Sequence, residues 1–182
     1  MSTTSVWRMT TERTSPPTHG PEHAQLRAWL DFHRDTLRRK CDGLSRAELA
    51  QTLAPSTLSL GALMKHMALV EDHWFSVVLV GNDDAEPWLG HDWDADPDYE
   101  FRTAADDSPE ELRSLFDEAV AASDAILDEI GDDLDRVAAR TSHREGTAFD
   151  LRWILVHMIE EYARHNGHAD LIRESIDGVT GE

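Results

Sequence analysis

Apolar residues recur three and four positions apart through most of the chain, which is the spacing of one face of an α-helix. Three such stripes lie in residues 26–37, 60–78 and 112–130, whereas strand-like alternation is nearly absent. A fourth stripe continues for about seven helical turns, with the members Leu151, Leu155, Met158, Tyr162, His165, Ala169, Ile172 and Ile176. Four long amphipathic helices predict an all-α protein, an antiparallel four-helix bundle.

Capping residues and glycines predict where the helices begin and end. Ser108 and Glu111, with Pro109 at the first helical position, form a capping-box pattern. Ser45 and Glu48 form a second box, which predicts an additional short helix. The other expected starts are Ser59 and, for the last helix, Thr147 with Asp150; the expected stops are Gly43, Gly81, Gly131 and Gly178.

Two segments do not have the helical period. Residues 81–107 are rich in Asp and Glu around Trp88, Trp93 and Tyr99, which predicts a long acidic loop anchored on the bundle by its aromatic side chains. Residues 1–20 are polar and are predicted to form a flexible N-terminal tail. A single domain is therefore expected over residues 21–182.

Composition narrows the choice of partners and compartment. Asp and Glu number 36 against 17 Lys and Arg, a formal charge of -19, which repels nucleic-acid phosphates. No apolar run reaches the roughly 20 residues that span a bilayer, and residues 1–19 lack the apolar core of a secretory signal. The single cysteine, Cys41, excludes an intrachain disulfide and is interpreted as a small core residue. We expect a cytoplasmic protein without nucleic-acid or membrane partners.

Histidines on apolar helix faces are the residues most suited to chemistry. His165 belongs to the last stripe, and Glu161 lies one turn earlier on the same face. His66 has only apolar neighbours three and four positions away, so it is expected to point inward as well. An isolated buried carboxylate is destabilised by several kcal/mol. A divalent metal ion bound by these three residues would neutralise Glu161.

Each of these residues also has a plainer interpretation. A single histidine on an apolar face is commonly a hydrogen-bonded core residue, and an exposed Glu161–His165 pair would be a weak contact between neighbouring turns. His157 lies roughly 12 Å from His165 along the axis and cannot bind the same ion. His168 either replaces Glu161 as a ligand or orients one. Of the other histidines, His33 is interpreted as a core residue, and His73 and His91 as surface residues.

The sequence around these residues resembles a known family. Val70, Glu71, Trp74 and Phe75 follow His66, and residues 161–170 read EYARHNGHAD. Over residues 22–176 the chain resembles the DinB-like superfamily, in particular the actinobacterial branch related to the N-terminal domain of mycothiol-dependent maleylpyruvate isomerase. The resemblance implies a metal site made by His66, Glu161 and His165. Zinc or nickel is the metal it implies; iron and manganese also suit these ligands.

The resemblance implies a thiol-dependent S-transferase or isomerase, with mycothiol or another small-molecule thiol and an electrophile as substrates and a homodimer as the assembly. Two alternatives stay open. One is a metal-dependent hydrolase that uses metal-bound water, with a general base among Glu71, His73 and His168. The other is a non-catalytic, stress-related bundle that only binds a metal.

Overall fold

Six α-helices and one small antiparallel hairpin form the fold in the computed structural model, which describes residues 13–141 and 146–180. A π-helical segment, Asp72–Val80, continues α3, and a 3-10 turn, Ala104–Asp106, follows α4. The helices are α1 (Glu22–Cys41), α2 (Arg46–Leu49), α3 (Leu60–Glu71), α4 (Tyr99–Thr103), α5 (Pro109–Ile130) and α6 (Leu151–Asp177). The strands are β1 (Val137–Thr141) and β2 (Ala148–Asp150). The all-α prediction is confirmed.

The four long helices run up, down, down and up. Arg34 of α1 contacts Glu71 at the end of α3, whereas Cys41 at the end of α1 contacts Leu60 at the start of α3. α1 and α3 are therefore antiparallel. α1 and α6 are parallel instead, since Arg152 pairs with Glu22 near both starts and Arg173 donates to the Lys40 carbonyl near both ends. α5 is antiparallel to α1, since Arg27 pairs with Asp124 and Arg38 with Asp117. α5 is therefore parallel to its neighbour α3, which the antiparallel prediction did not include. The cause is the long connection over residues 81–107, which returns the chain along the bundle before α5 begins.

Most predicted helix ends are confirmed by hydrogen bonds. The Ser108 hydroxyl accepts from the Glu111 amide, and the Glu111 carboxylate accepts from the Ser108 amide at 2.7 Å. The box at Ser45 has the same reciprocal bonds. The assignment of Thr147 to the last helix start is wrong. Asp150 alone caps α6, accepting from the Trp153 amide at 2.8 Å, because the residues directly before it pair with β1.

The acidic segment is more ordered than the sequence suggests. Its aromatic anchors are confirmed: Trp88 is 1% exposed, and Trp93 and Tyr99 pack around the ring of His91. The prediction of a loop over the whole of residues 81–107 is wrong for the last part of this segment, where α4 and the 3-10 turn form. These short helices depend on tertiary contacts, including an ion pair of 2.6 Å between Lys65 of α3 and Asp107.

The predicted N-terminal tail lies partly outside the described residues, which begin at residue 13. Arg13 donates to the Thr36 hydroxyl at 2.7 Å, and its guanidinium lies over the ring of Phe32. At least the end of this segment therefore contacts α1. None of the helices in the described ranges is both long and apolar enough to cross a membrane.

The core contains a buried ion pair among its apolar side chains. Arg34 is 1% exposed and Glu71 0%, and two guanidinium nitrogens of Arg34 each lie 2.7 Å from a Glu71 oxygen. The Tyr162 hydroxyl of α6 donates to the same carboxylate at 2.6 Å. Burial, and then the charge of Glu71, raises the pKa of Tyr162, so its proton stays available for this bond. This network links α1, α3 and α6 in the middle of the bundle.

Candidate metal centre

His66, Glu161 and His165 come together between α3 and α6. One possible ligand atom from each side chain lies within 4.8 Å of the others. The two helices are in contact, and one turn of α6 faces His66 of α3. A helix places residues i and i+4 on the same face, so Glu161 and His165 project toward His66 together.

Burial differs among the three residues. His165 is 8% exposed because it lies on the buried stripe of α6, as the sequence predicts. Glu161 and His66 are half-buried at the edge of the bundle, so the cluster borders solvent on one side. The imidazole rings of His66 and His165 lie edge to face with their centroids 5.0 Å apart. The Oε1 atom of Glu161 lies 3.9 Å from Nε2 of His165.

The protonation of His165 suits a metal ligand. Burial, and then charge repulsion from the neighbouring His66, His168 and Arg164, lowers the pKa of His165 to about 4. The imidazole is therefore neutral at physiological pH. A neutral imidazole has a free nitrogen lone pair, which is the form that binds metal ions.

Two polar atoms in the cluster lack hydrogen-bond partners in the described chain. They are Nδ1 of His165 and Oε2 of Glu161, both buried. Arg164 Nη1 approaches this Glu161 oxygen to 3.1 Å, an ion pair that lacks hydrogen-bond geometry. An unsatisfied buried polar atom is destabilising by about 1–3 kcal/mol. Two imidazoles and one carboxylate with unused ligand capacity fit a divalent metal ion.

Two residues of α4, Glu100 and Phe101, contact His66, and neither contact is predicted from the sequence. Glu100 is 3% exposed, and its Oε1 atom lies 3.0 Å from Nδ1 of His66. Phe101 stacks on the same ring at 4.7 Å between centroids and 22° between planes. Glu100 is one acidic residue among many in residues 81–107, so nothing in its sequence context distinguishes it.

The three candidate general bases occupy different environments. Glu71 is bound by Arg34 and Tyr162 in the core and is outside the cluster of ligand atoms. His73 is exposed, with its ring against Trp74. His168 is exposed and lies beside the cluster, its ring centroid 5.6 Å from that of His165.

The other histidines are held by contacts of their own. His157 is half-buried and packs against Trp74 and Trp153, at 4.7 Å and 4.9 Å between ring centroids. The backbone carbonyl of His33 accepts a hydrogen bond from the Asn166 side chain at 3.0 Å. His91 lies in the aromatic cluster of the acidic segment. The described cluster of ligand atoms contains none of them.

Comparisons with known proteins agree with this architecture. A crystal structure of a conserved protein from Enterococcus faecalis superimposes with a TM-score of 0.60, covering 88% of this chain and 100% of the other. The two sequences are 18% identical, so this likeness shows the fold alone. A search of curated proteins gave no significant match. The family model for mycothiol S-transferases matches residues 25–178, a range that includes both helices of the cluster. The chain belongs to the mycothiol S-transferase family.

Proposed function

We propose that this protein is a thiol-dependent S-transferase whose metal ion is bound by His66, Glu161 and His165. The observation that supports the proposal is the convergence of these three side chains within 4.8 Å, inside the range that matches a mycothiol S-transferase model. The small-molecule thiol follows from the family. The second substrate is an electrophile that accepts the thiol sulfur.

The number and charge of the protein ligands suit a metal ion that also binds a thiol. Two imidazoles and one carboxylate supply three ligands, one fewer than the four of a tetrahedral zinc site, which leaves a position for the thiol. A divalent metal ion bound there would lower the pKa of a coordinated thiol and supply the thiolate nucleophile. Glu161 contributes the negative charge that offsets part of the charge of the ion.

Arg164, beside the cluster, and Arg173, farther along α6 near its end, both have defined partners. Arg164 pairs with Glu160 and with Glu161, so it holds the carboxylate at the mouth of the site. Arg173 is engaged by Asp177 and by the backbone carbonyls of Lys40 and Asp42, which supports a structural role for it.

In the transfer itself a bond forms between the thiol sulfur and the electrophile. The leaving group departs with its electron pair, and the thiol proton goes to solvent.

Metal analysis tests the site directly. We expect untagged protein, purified without chelators, to contain close to one equivalent of a divalent metal. His165→Ala should lose most of it because a ligand is gone. His157→Ala is the matched control, since this histidine lies on the same helix and packs against Trp74 instead. Equal loss in both variants would contradict this ligand set, as would full occupancy in His165→Ala.

An activity assay tests the chemistry. Conjugation of monochlorobimane should be faster with the protein than without it, with mycothiol preferred over other small thiols and with EDTA inhibitory. Glu161→Gln keeps the side-chain size and removes the ligand charge, so activity should fall together with metal affinity. A metal-loaded protein that gives no rate above the uncatalysed reaction, over several thiols and electrophiles, would refute the transferase.

A further inference from the structure

We infer that Glu100 is a positioning residue for the metal centre: it holds His66 in the tautomer and orientation that direct Nε2 to the metal. The inference rests on the proposed metal site. Glu100 is not one of the three ligands and lies in the acidic segment, residues 81–107.

The contact itself has the length of a hydrogen bond. Nδ1 of His66 and Oε1 of Glu100 are 3.0 Å apart, within the ordinary range for N–H···O bonds. A neutral imidazole carries one proton. When Nδ1–H donates to the carboxylate, the lone pair is on Nε2. Stacking on Phe101 then restrains rotation of the ring.

The burial of Glu100 indicates more than a structural anchor. Glu100 is 3% exposed, and its Oε2 atom has no hydrogen-bond partner among the described residues. Leaving a buried carboxylate oxygen unsatisfied is destabilising, so stability alone would favour an apolar residue at this position. A carboxylate behind a ligating histidine has a known physical use: it fixes the ring and makes the other nitrogen a better donor.

The acidic segment is attached to the bundle by other contacts as well. Asp107 pairs with Lys65 at 2.6 Å, and Arg46 donates to the Ala105 carbonyl at 2.9 Å. Trp88 is almost completely buried. Removing the Glu100 carboxylate should therefore leave the segment docked. The segment then has a specific role, which is to bring Glu100 and Phe101 against His66.

The test compares Glu100→Gln and Glu100→Ala with a matched control, Asp107→Asn. The control also removes a carboxylate that pairs with α3, at Lys65, the residue directly before His66. The Asp107 carboxylate pairs with Lys65 and not with the histidine. Zinc affinity is measured by competition with a chromophoric chelator. We expect Glu100→Ala to bind zinc about 10- to 100-fold more weakly, the usual range for such partners. Glu100→Gln should lose less because its amide oxygen still accepts from Nδ1–H, and Asp107→Asn should bind as tightly as the wild type.

A second measurement needs no metal. Long-range ¹H–¹⁵N NMR spectra of metal-free protein, at a pH where the imidazole is neutral, report which nitrogen of His66 carries the proton. His66→Gln assigns the signal. We expect the proton on Nδ1 in the wild type and a mixture of tautomers in Glu100→Ala. A wild-type proton on Nε2 would overturn the inference even if zinc binds.

The outcomes separate this inference from the proposed function. If wild-type protein binds no metal, the proposed function fails, whereas the tautomer measurement still decides whether Glu100 orients His66. Unchanged zinc affinity in Glu100→Ala, or an equal loss in Asp107→Asn, overturns the positioning role. Cobalt spectra are the last check. A lower coordination number in Glu100→Ala would make Glu100 a ligand and would also overturn it.

Discussion

Replacing Arg34 by methionine tests the buried network in the centre of the bundle. Methionine keeps most of the volume of the arginine stem and removes both 2.7 Å bonds to Glu71. Glu71 then stays 0% exposed in the folded protein with only the Tyr162 hydroxyl as a partner. Removing one partner of a buried ion pair lowers the free energy of unfolding by about 3–5 kcal/mol. That is a large part of the roughly 5–15 kcal/mol that a domain has in total.

The assay is urea unfolding followed by far-UV circular dichroism, together with thermal melting. At roughly 2–4 °C for each kcal/mol in a chain of this size, Arg34→Met should melt about 10 °C lower. Tyr162→Phe keeps the ion pair and removes one bond to a charged group, so it should lose about 1.5–3 kcal/mol. Metal content should not change in Arg34→Met, because the network contains none of the three proposed ligands.

The double variant Arg34→Met/Glu71→Met provides the decisive comparison. Both charges of the buried pair are gone, and the two other carboxylates that Arg34 bonds, Asp31 and Asp124, are 53% and 38% exposed, so water can replace that partner. No buried carboxylate is left unpaired, and stability should return close to that of the wild type. The stabilising role of this ion pair is refuted if Arg34→Met loses less than about 1 kcal/mol. It is also refuted if the double variant is less stable than the single one.

Three further predictions test local features. Asp150→Ala should lower the free energy of unfolding by about 1 kcal/mol because it caps α6, whereas Thr147→Ala should change it by less than about 0.5 kcal/mol; equal losses would contradict the observed cap. Gly81→Ala should be more destabilising in urea than Gly178→Ala: both have left-handed backbone, but only at Gly81 would the new Cβ meet a side chain of β1, at 3.0 Å, and equal effects would argue against this contact. Burial raises the pKa of Cys41 to about 12, so a thiol reagent should label it only in denaturant; rapid labelling of folded protein at neutral pH would show that this thiol is accessible.

The long helices were predictable because their signals are local. The Ser108 capping box and the glycine stops at Gly81 and Gly178 lie within a few residues of the ends they define. The short helix α4 was missed because five residues are too few to show a period and it is stabilised by contacts from elsewhere. β1 was missed because most of its residues are exposed and show no alternation. Helix direction was not visible at all, since it depends on the path of the connection over residues 81–107.

The cluster was predictable for a similar reason. Glu161 and His165 are one turn apart, so helical geometry alone puts them on one face, and the apolar neighbours of His66 indicate its direction. Glu100 reaches His66 across 34 positions of sequence, and Arg34 reaches Glu71 across 37. One sequence does not show such pairs. This is why Glu71 was considered as a base although the structure pairs it with an arginine.

The parallel pairing of α1 with α6 has a consequence for synthesis on the ribosome. From the end of α1 at Cys41 to the end of α6 at Asp177 the chain grows by 136 residues. At a synthesis rate of about 5–20 residues per second, α1 lacks its partner helix for about 7–27 s. During that interval the apolar face of α1 is incompletely covered, and exposed apolar surface makes an unfinished chain prone to aggregation. Final packing of this bundle is therefore a late event, completed when α6 leaves the exit tunnel.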